Sequence, residues 1–406
     1  MIKKDLSVIV VYLLLLGTAS AQPPGQAPDF LVPEPGYEWS FPRDHANHSE
    51  YALEWWYYTG HLLPDGADPT VDANWIHLQL TFFRNAIPAA GAGQLYFAHL
   101  AISGPEMPFA FAEHIARGTL GEAGSDETVQ HVWLDTWRAS VLPDGSHVLE
   151  AEAEGVGGIR LLAKPTLGPV LNGDDGFSRK GPGGSEASYY YSLPRMETEG
   201  WFYPRSSHDP RHEGRGHAEG SDAAPVAVTG TLWMDHEFGN QQLGEGLTGW
   251  DWWGLKLPGG EALMLYRIRR GAGGFIDESE GTFTAADGTT VRIPFDEVKV
   301  EPSSEWTSPH TGVVYPHGWT ITIPSFVHPT SGKSGLTLTV TPVTADQELR
   351  TDRSTRVTYY EGAVRVEREG FDERTFGFVE LVGYDTEQAK AQPLDLPVSS
   401  GSDGGE

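Results

Sequence analysis

Alternation of apolar and polar residues is the feature that most constrains what this chain can fold into. It runs through residues 75–82 (WIHLQLTF), 319–323 (WTITI) and 336–341 (LTLTVT), and a period of two places apolar side chains on one face of a β-strand. Turn sequences such as 64–66 and 143–145, both PDG, separate the alternating segments. Because no long amphipathic helix accompanies them, the chain is predicted to be an antiparallel all-β protein.

The same series of short motifs occurs twice along the chain. Residues 54–56 (EWW) correspond to 251–253 (DWW). In each half a tryptophan then precedes a Pro-x-Gly turn, and a tyrosine-rich segment precedes a late apolar strand. This shared order indicates an internal duplication, and we predict two tandem antiparallel β-barrels at 40–240 and 241–386.

Charge and cysteine content narrow the range of partners. With 28 Lys+Arg against 56 Asp+Glu the formal net charge is -28, which repels phosphate backbones, so no nucleic acid partner is expected. The sequence contains no Cys, which excludes disulfides, thiolate metal sites and a cysteine nucleophile. Since a barrel of about eight strands can hold one small ligand, we expect the partner to be a small hydrophobic molecule.

Both ends of the sequence are predicted to lie outside the barrels. An apolar run at 6–16 follows two lysines and precedes the small residues 19–21 (ASA), which is typical of a secretory signal peptide over 1–21. The run is too short to span a bilayer, and no transmembrane segment is expected elsewhere. Residues 22–39 are predicted to be a flexible leader and 387–406 a disordered tail. The protein is therefore expected to be an exported monomer, periplasmic or secreted.

Two carboxylates are predicted to share a strand face with large aromatic side chains. In the segment EWWYYTGHL, Glu54 and Trp56 lie on one face; in DWWGLKL, Asp251 and Trp253 do. If these faces point into barrels, burial should raise the carboxyl pKa values and leave a proton donor near neutral pH. The alternative is that both carboxylates lie at barrel mouths and hydrogen-bond to the backbone.

The densest group of chemically active residues lies at 233–241 (WMDHEFGNQ), where the two halves join. His236 could exchange protons near neutral pH, and Asp235 beside it could fix its tautomer. Neighbours on a strand point to opposite faces, so the two cooperate only if the chain turns, for which Gly239 and Asn240 are suited. A buried structural histidine remains the alternative.

Several segments together resemble one family. They are 54–62 (EWWYYTGHL), 189–195 (YYYSLPR), 233–238 (WMDHEF), 250–257 (WDWWGLKL), 360–364 (YEGAV) and 380–384 (ELVGY). The chain is similar to the AttH-like family of carotenoid 1,2-hydratase (hydroxyneurosporene synthase), whose exported bacterial members are labelled predicted secreted hydrolases. The resemblance implies two lipocalin-like barrels and addition of water to a terminal isoprenoid double bond without a redox cofactor or metal.

The resemblance also implies roles for individual residues. The Asp-His element matches Asp235 and His236, which makes His236 the first acid/base candidate. Phe238 stands where the hydratases carry a Trp, and Tyr266 lacks the Asp expected two residues later. Asp235 or Asp251 would then have to supply the acid that protonates an alkene.

Two functions follow from these observations. The first is a cofactor-free hydratase or hydrolase acting on a lipid or isoprenoid, with catalytic His236, Asp235 and Asp251. The residues expected to shape its pocket are Glu54, Trp56, Tyr190, Trp253, Tyr266 and Phe238. The second is a noncatalytic carrier of apolar molecules, which convergence of the catalytic residues on one pocket would argue against. No metal site is expected, because the three histidines His208, His212 and His217 are interpreted as part of a polar loop.

Overall fold

The computed structural model describes residues 30–87, 93–182, 186–205, 224–240, 243–244 and 246–385. The predicted signal peptide, residues 22–29 of the leader, the tail and the three loop histidines lie outside the described residues. Within these ranges the chain forms 23 β-strands and three short 3-10 helices, Arg43–His45, Asp72–Asn74 and Phe295–Glu297. None of these helices has the length and apolar character needed to cross a membrane.

The first sheet contains 13 strands. They are β1 (Leu53–Pro64), β2 (Ile76–Ile87), β3 (Gly93–Gly104), β4 (Met107–Arg117), β5 (Ala123–Ser125), β6 (His131–Leu134), β7 (Trp137–Val141), β8 (His147–Ala153), β9 (Gly157–Pro165), β10 (Val170–Leu171), β11 (Phe177–Arg179), β12 (Ala187–Tyr203) and β13 (Val226–Gly239). Neighbouring strands follow the order β4-β3-β2-β1-β13-β12-β9-β8-β7-β6-β5, and β10 and β11 pair with β12.

The second sheet contains 10 strands. They are β14 (Leu247–Leu257), β15 (Glu261–Arg270), β16 (Glu280–Thr284), β17 (Thr290–Pro294), β18 (Lys299–Thr307), β19 (Val314–Val327), β20 (Ser334–Pro342), β21 (Glu348–Arg350), β22 (Thr358–Arg368) and β23 (Arg374–Val382). Their order is β17-β16-β15-β14-β23-β22-β20-β19-β18, and β21 pairs with β22.

The two sheets repeat one topology. In each, the first strand pairs antiparallel with the last, β1 with β13 and β14 with β23. On one side of this pair three further strands follow as consecutive hairpins, β2 to β4 in the first sheet and β15 to β17 in the second, and a short strand pairs with the penultimate strand in both sheets. The predicted all-β fold of two tandem lipocalin-like barrels related by duplication is confirmed.

Each sheet encloses its own apolar core. Trp56 and Trp137 lie in the core of the first barrel, and Trp253 and Trp319 lie in that of the second. All four indole side chains are fully buried. Since burying an aromatic side chain removes some 150 to 250 Å² from water, these residues dominate the stability of both barrels.

A third apolar cluster joins the two barrels. Strand β1 is buried on both faces: Trp56 points into the first barrel, whereas Tyr57 points outward against Trp252 and Tyr266 of the second sheet. The first and last strands of each barrel therefore form the wall where the barrels meet. Two-sided burial is the reason that these strands show less clear alternation than solvent-facing strands such as β9.

The described part of the predicted leader packs against the first barrel. Trp39 Nε1 donates a hydrogen bond to the carbonyl of Asp175 at 2.9 Å, and the rings of Tyr37 and Tyr189 lie 4.4 Å apart. The backbone N–H of Glu34 donates to the Tyr189 hydroxyl at 2.9 Å. Residues 30–39 thus act as a strap across the strands that carry the tyrosine-rich segment.

Candidate functional site

A cleft at the junction of the two barrels brings aromatic and ionisable side chains together. The aromatic residues are Trp55, Tyr57, Phe83, Tyr190, Trp250, Trp252, Tyr266 and Tyr359. The ionisable residues besides tyrosine are Lys180, Asp235, Glu237 and Glu380. The cavity volume is about 90 Å³, equal to the liquid volume of roughly three water molecules. A cleft of this size accepts one end of a ligand.

Strand alternation decides which residues of β13 face this cleft. Asp235 and Glu237 line it, whereas His236 between them points into the first barrel. Residues 233–239 continue as regular strand and pair with β1 on one side and β12 on the other. The turn that would have allowed Asp235 and His236 to cooperate is therefore not present at this point.

Asp235 is held by three hydrogen-bond donors. The Tyr190 hydroxyl donates to Oδ2 at 2.8 Å, and Ser192 Oγ and Trp233 Nε1 donate to Oδ1 at 2.5 and 2.7 Å. Burial raises the pKa of Asp235 to about 7, although these donors act in the opposite direction. The carboxyl group can therefore both donate and accept a proton near neutral pH.

The second sheet contacts this carboxyl through Tyr190. Trp252 Nε1 donates a hydrogen bond to the Tyr190 oxygen at 3.1 Å, which leaves the Tyr190 hydroxyl hydrogen directed at Asp235. The indole of Trp252 lies over Gly254, since a Cβ placed on that glycine would be 2.3 Å from the Trp252 ring. A glycine is required there for the indole to lie flat along the strand.

The cleft already stabilises one positive charge. Lys180 Nζ lies 2.7 Å from Glu237 Oε1, and it lies 5.2 and 4.7 Å from the ring centroids of Tyr190 and Tyr266. Ring faces and carboxylates at these distances attract a cation. A ligand that develops positive charge in the cleft would meet the same two kinds of group.

Glu380 adds a further carboxyl from the second sheet. Trp250 Nε1 donates to its Oε2 at 2.9 Å. Burial raises the pKa of Glu380 to about 7, and the negative charges of Asp235 and Glu237 raise it further. The cleft therefore contains two carboxyl groups, one from each sheet, that can exchange protons near neutrality.

His236 belongs to a separate buried network inside the first barrel. Its Nε2 lies 2.8 Å from Glu54 Oε1, and His48 Nδ1 lies 2.9 Å from the same oxygen. Arg84 Nε donates to Glu54 Oε2 at 3.0 Å. Burial lowers the pKa of His236, and the indole of Trp56 stacks on its ring at 5.0 Å.

Glu54 is the centre of this network. Burial raises the pKa of Glu54, but hydrogen bonds from His236 and His48 outweigh burial and hold it well below its usual range. The ligand atoms of these three residues lie within 4.8 Å of one another, close enough to hold a metal ion. The same carboxylate also accepts bonds from Arg84 and from the His48 backbone N–H, so hydrogen bonds and an ion pair already occupy both oxygens.

Asp251 lies in the second barrel. Arg267 Nε is 2.7 Å from its Oδ2, Arg269 forms a second ion pair, and the Tyr384 hydroxyl donates to Oδ1 at 3.0 Å. Trp253, on the same face of β14, belongs to the apolar core of that barrel. Asp251 is thus a fully buried, doubly ion-paired carboxylate.

The structure does not bring the three predicted acid/base residues together. Asp235 lies in the cleft, His236 in the first barrel and Asp251 in the second, because each points to a different side of the strands that join the barrels. The predicted pocket residues divide in the same way. Tyr190 and Tyr266 line the cleft; those with their side chains in barrel interiors or against the leader strap are Glu54, Trp56, Trp253 and Phe238.

Sequence reasoning missed Trp252, Glu237, Glu380 and Lys180. The alternation of DWWGLKL already separates Trp252 from Asp251 and Trp253, so the opposite face of β14 was the available signal for the first of these. Glu237 follows from the same rule applied to β13. Glu380 and Lys180 reach the cleft only through the packing of strands distant in sequence, for which the sequence carries no local signal.

Two antiparallel barrels with an acidic and aromatic cleft at their junction define the class: a two-barrel lipocalin-like protein. Within that class the chain belongs to the AttH-like family, whose model matches residues 32–384. The resemblance found in the sequence is thereby confirmed. No protein with a curated description matches the chain in sequence.

Solved structures agree with this assignment. A candidate AttH protein from Nitrosomonas europaea is 32% identical and superposes with a TM-score of 0.73, covering 87% of this chain and 99% of its own. Kievitone hydratase from Nectria haematococca superposes with a TM-score of 0.60 at 15% identity, covering 89% of this chain and 98% of its own. The second similarity is one of fold.

Proposed function

We propose that this protein is a cofactor-free hydratase that adds water to a double bond of an apolar, isoprenoid-like substrate, with Asp235 as the acid. The position of Asp235 supports this proposal. Its carboxyl group is buried, lines the cleft beside aromatic side chains, and has a pKa raised to about 7. The shared fold with kievitone hydratase is consistent with it.

The reaction follows from the groups present. The protonated Asp235 carboxyl donates its proton to one carbon of the double bond, and the π electrons of that bond form the new C–H bond. The other carbon becomes a cation, which the faces of Trp252 and Tyr190 stabilise. A water molecule then attacks the cation and loses a proton, which gives the alcohol.

Tyr190 keeps Asp235 in position for this step. Its hydroxyl accepts from Trp252 of the second sheet and donates to the carboxyl oxygen Oδ2, so the packing of both sheets fixes that oxygen. Fixing the acid before the substrate binds lowers the free energy needed for reorganisation in the transition state. His236 and Asp251 are assigned structural roles in this proposal, because neither side chain reaches the cleft.

The substrate is proposed to insert one apolar end. Trp55, Phe83 and Ile268 line the cleft beside the carboxyl groups, and a cavity of about 90 Å³ matches a branched group of a few carbon atoms. The net charge of -28 favours a neutral substrate over an anionic one. The remainder of a longer molecule would extend out of the cleft.

The test is incubation with citronellol and squalene, two neutral molecules with terminal trisubstituted double bonds, in water enriched in oxygen-18. We expect an alcohol that carries one labelled oxygen with the wild-type protein. Asp235→Asn should reduce its formation by at least about a hundredfold, within the usual contribution of a general acid. Asp144→Asn, in an exposed turn, is the matched control and should leave the rate unchanged.

Other outcomes would contradict the proposal. Recovery of both molecules bound but unaltered by the wild-type protein would instead favour the carrier. Cleavage of an ester or amide by the wild-type protein, with no addition to the double bonds, would favour a hydrolase.

We also propose that the mature protein is an exported monomer that begins at Gln22. The support is the charged, apolar and small-residue pattern of residues 1–21. Expression of the full chain in a bacterium, followed by fractionation, N-terminal sequencing and light scattering, tests this. A protein retained in the cytoplasm with Met1 intact would contradict it.

A further inference from the structure

Two glutamates from the second sheet face each other beside the cleft. Glu361 on β22 and Glu380 on β23 are direct partners in the antiparallel register, so their side chains project from the same face of the sheet with Cβ atoms about 5 Å apart. Like charges placed directly opposite are destabilising. Such a pair needs a physical explanation.

Neither glutamate has a basic partner. Among the described residues no lysine, arginine or histidine forms an ion pair with either carboxyl group. Glu361 Oε1 accepts from the Tyr57 hydroxyl at 2.6 Å, while its Oε2 is buried and has no partner in the described part of the chain. Among the described residues Glu380 accepts a hydrogen bond from Trp250 alone.

Two buried carboxylates without a counterion cannot both remain ionised, so the pair holds a proton. Burial and the charge of Glu380 raise the pKa of Glu361 well above its usual range. Glu361 is almost completely buried, whereas Glu380 lines the cleft. The more buried Glu361 therefore keeps the proton, and Glu380 is the member that exchanges with the contents of the cleft.

Resting on the proposed function, we propose that Glu380 is the second proton-transfer residue of the cleft, which removes the proton from the attacking water. Glu361 is a positioning residue: because it keeps its own proton it places no negative charge opposite Glu380, which leaves Glu380 able to ionise and act as a base. Glu380 and Asp235 come from opposite sheets, which places an acid and a base on the two walls that enclose the substrate.

With these two residues every proton transfer of the reaction has a donor and an acceptor. Asp235 donates its proton to the double bond and becomes a carboxylate. A lone pair of the water forms the C–O bond to the cation, an O–H bond of that water breaks, and the proton moves to the Glu380 carboxylate. A proton returns from Glu380 to Asp235 through water in the cleft, so no co-reactant is consumed.

The pair can be tested without any substrate. Carbon-13 labelling of glutamate side chains allows the carboxyl resonances of Glu361 and Glu380 to be followed against pH, with assignments from Glu361→Gln and Glu380→Gln. We expect Glu380 to titrate near pH 7. Glu361→Gln keeps the acceptor for Tyr57 and is as neutral as protonated Glu361, so the titration of Glu380 should stay within about half a pH unit of its wild-type position.

Two results would overturn the assignment of the pair. One is titration of Glu380 near pH 4 to 5 in the wild-type protein. The other is a downward shift of about one pH unit or more in Glu361→Gln, which would show that Glu361 is ionised in the wild-type protein. The exposed Glu369 serves as the control, since Glu369→Gln should leave Glu380 unaffected.

The catalytic role is tested with citronellol in deuterium oxide. Asp235→Asn should lose both deuterium uptake into the alkene and alcohol formation. Glu380→Gln should reduce alcohol formation at least about tenfold while deuterium uptake into recovered alkene continues, because the cation still forms and reverts. Equal loss of both signals in Glu380→Gln would overturn the role of Glu380 as the base. Absence of both signals in the wild-type protein would instead refute the proposed function. The carboxyl titrations would still show whether Glu361 keeps its proton opposite Glu380.

Discussion

Trp252 on the second sheet donates a hydrogen bond to Tyr190 on the first, at 3.1 Å across the junction of the two barrels. The contact is part of a chain, because the Tyr190 hydroxyl in turn donates to Asp235. The orientation of the proposed acid therefore depends on how the two barrels pack. The proposed site lies where the two duplicated barrels meet, and neither barrel alone contains all of its residues.

Gly254→Ala tests whether the position of Trp252 matters. The added Cβ would lie 2.3 Å from the Trp252 ring, so the indole must move away from Tyr190. We expect water addition to fall roughly tenfold and the protein to lose about 1 to 3 kcal/mol of stability from overpacking. Gly168→Ala is the control, since no atom lies within 4 Å of a Cβ at that position. We expect the rate of water addition and the urea unfolding midpoint to fall in Gly254→Ala and to stay at the wild-type values in Gly168→Ala.

Asp235→Asn should make stability less dependent on pH. The folded-state pKa of Asp235 is raised to about 7 from an ordinary value of 3.8. The folded protein therefore retains a proton that the unfolded chain releases, and this stabilisation is complete below pH 4 and lost as the pH rises through 7. Asparagine cannot titrate. We therefore expect the unfolding free energy of the variant, relative to that of the wild-type protein, to increase by about 1 kcal/mol for each pH unit between pH 5 and 7.

Chemical unfolding at several pH values measures this difference. A constant difference between the two proteins across pH 4 to 8 would show that Asp235 has an ordinary pKa. Asp144→Asn, in an exposed turn, should follow the wild-type curve.

How far the sequence predicts this protein depends on the range of the interactions involved. Alternation and the repeated EWW and DWW segments predict strands, two barrels and their duplication, because these depend on local pattern. The same alternation separates Asp235 from His236, and the structure follows it. The partnership of Glu361 with Glu380 depends on register between strands and could not be read from the chain. Proximity in sequence at WMDHEF thus indicated one site, whereas the fold divides its residues between two environments.

Glu54→Ala should destabilise the first barrel strongly. Its removal leaves Arg84, which is fully buried, without its carboxylate partner. Breaking a buried pair in this way costs about 3 to 5 kcal/mol. Glu54→Gln keeps the shape and part of the hydrogen bonding, so its loss of unfolding free energy should be smaller.

The pKa of Glu54 is depressed in the folded protein, so the stabilisation that Glu54 contributes is present above pH 4.5 and is lost as the pH falls.

Denaturant unfolding of both variants at pH 7 provides the measurement. If Glu54→Ala and the wild-type protein unfold at the same denaturant concentration, the buried network contributes nothing. Zinc or another divalent ion added to the wild-type protein should leave the unfolding midpoint unchanged, because Arg84 and the two histidines already satisfy the carboxylate.

His61 and His77 should make the junction of the barrels sensitive to acid. Their Nδ1 atoms lie 2.8 Å apart, which requires one ring to donate and the other to accept, so the accepting ring is neutral, and burial lowers the pKa of His61 well below its ordinary value. Burial lowers the pKa of His77 to about 3. The unfolded chain therefore binds protons that the folded protein excludes, and stability falls as the pH drops from 6.5 toward 3.

The expected loss for a single buried histidine of this kind is about 1 kcal/mol per pH unit below 6. His77→Leu removes that group, so its unfolding free energy should fall less steeply between pH 6 and 4, whatever its value at pH 7. His131→Leu is the comparison variant: burial also lowers the pKa of His131, but its side chain is only partly buried, so the slope should change less than in His77→Leu. Parallel curves for His77→Leu and the wild-type protein would mean that His77 has the same pKa in the folded and unfolded states, which contradicts the prediction.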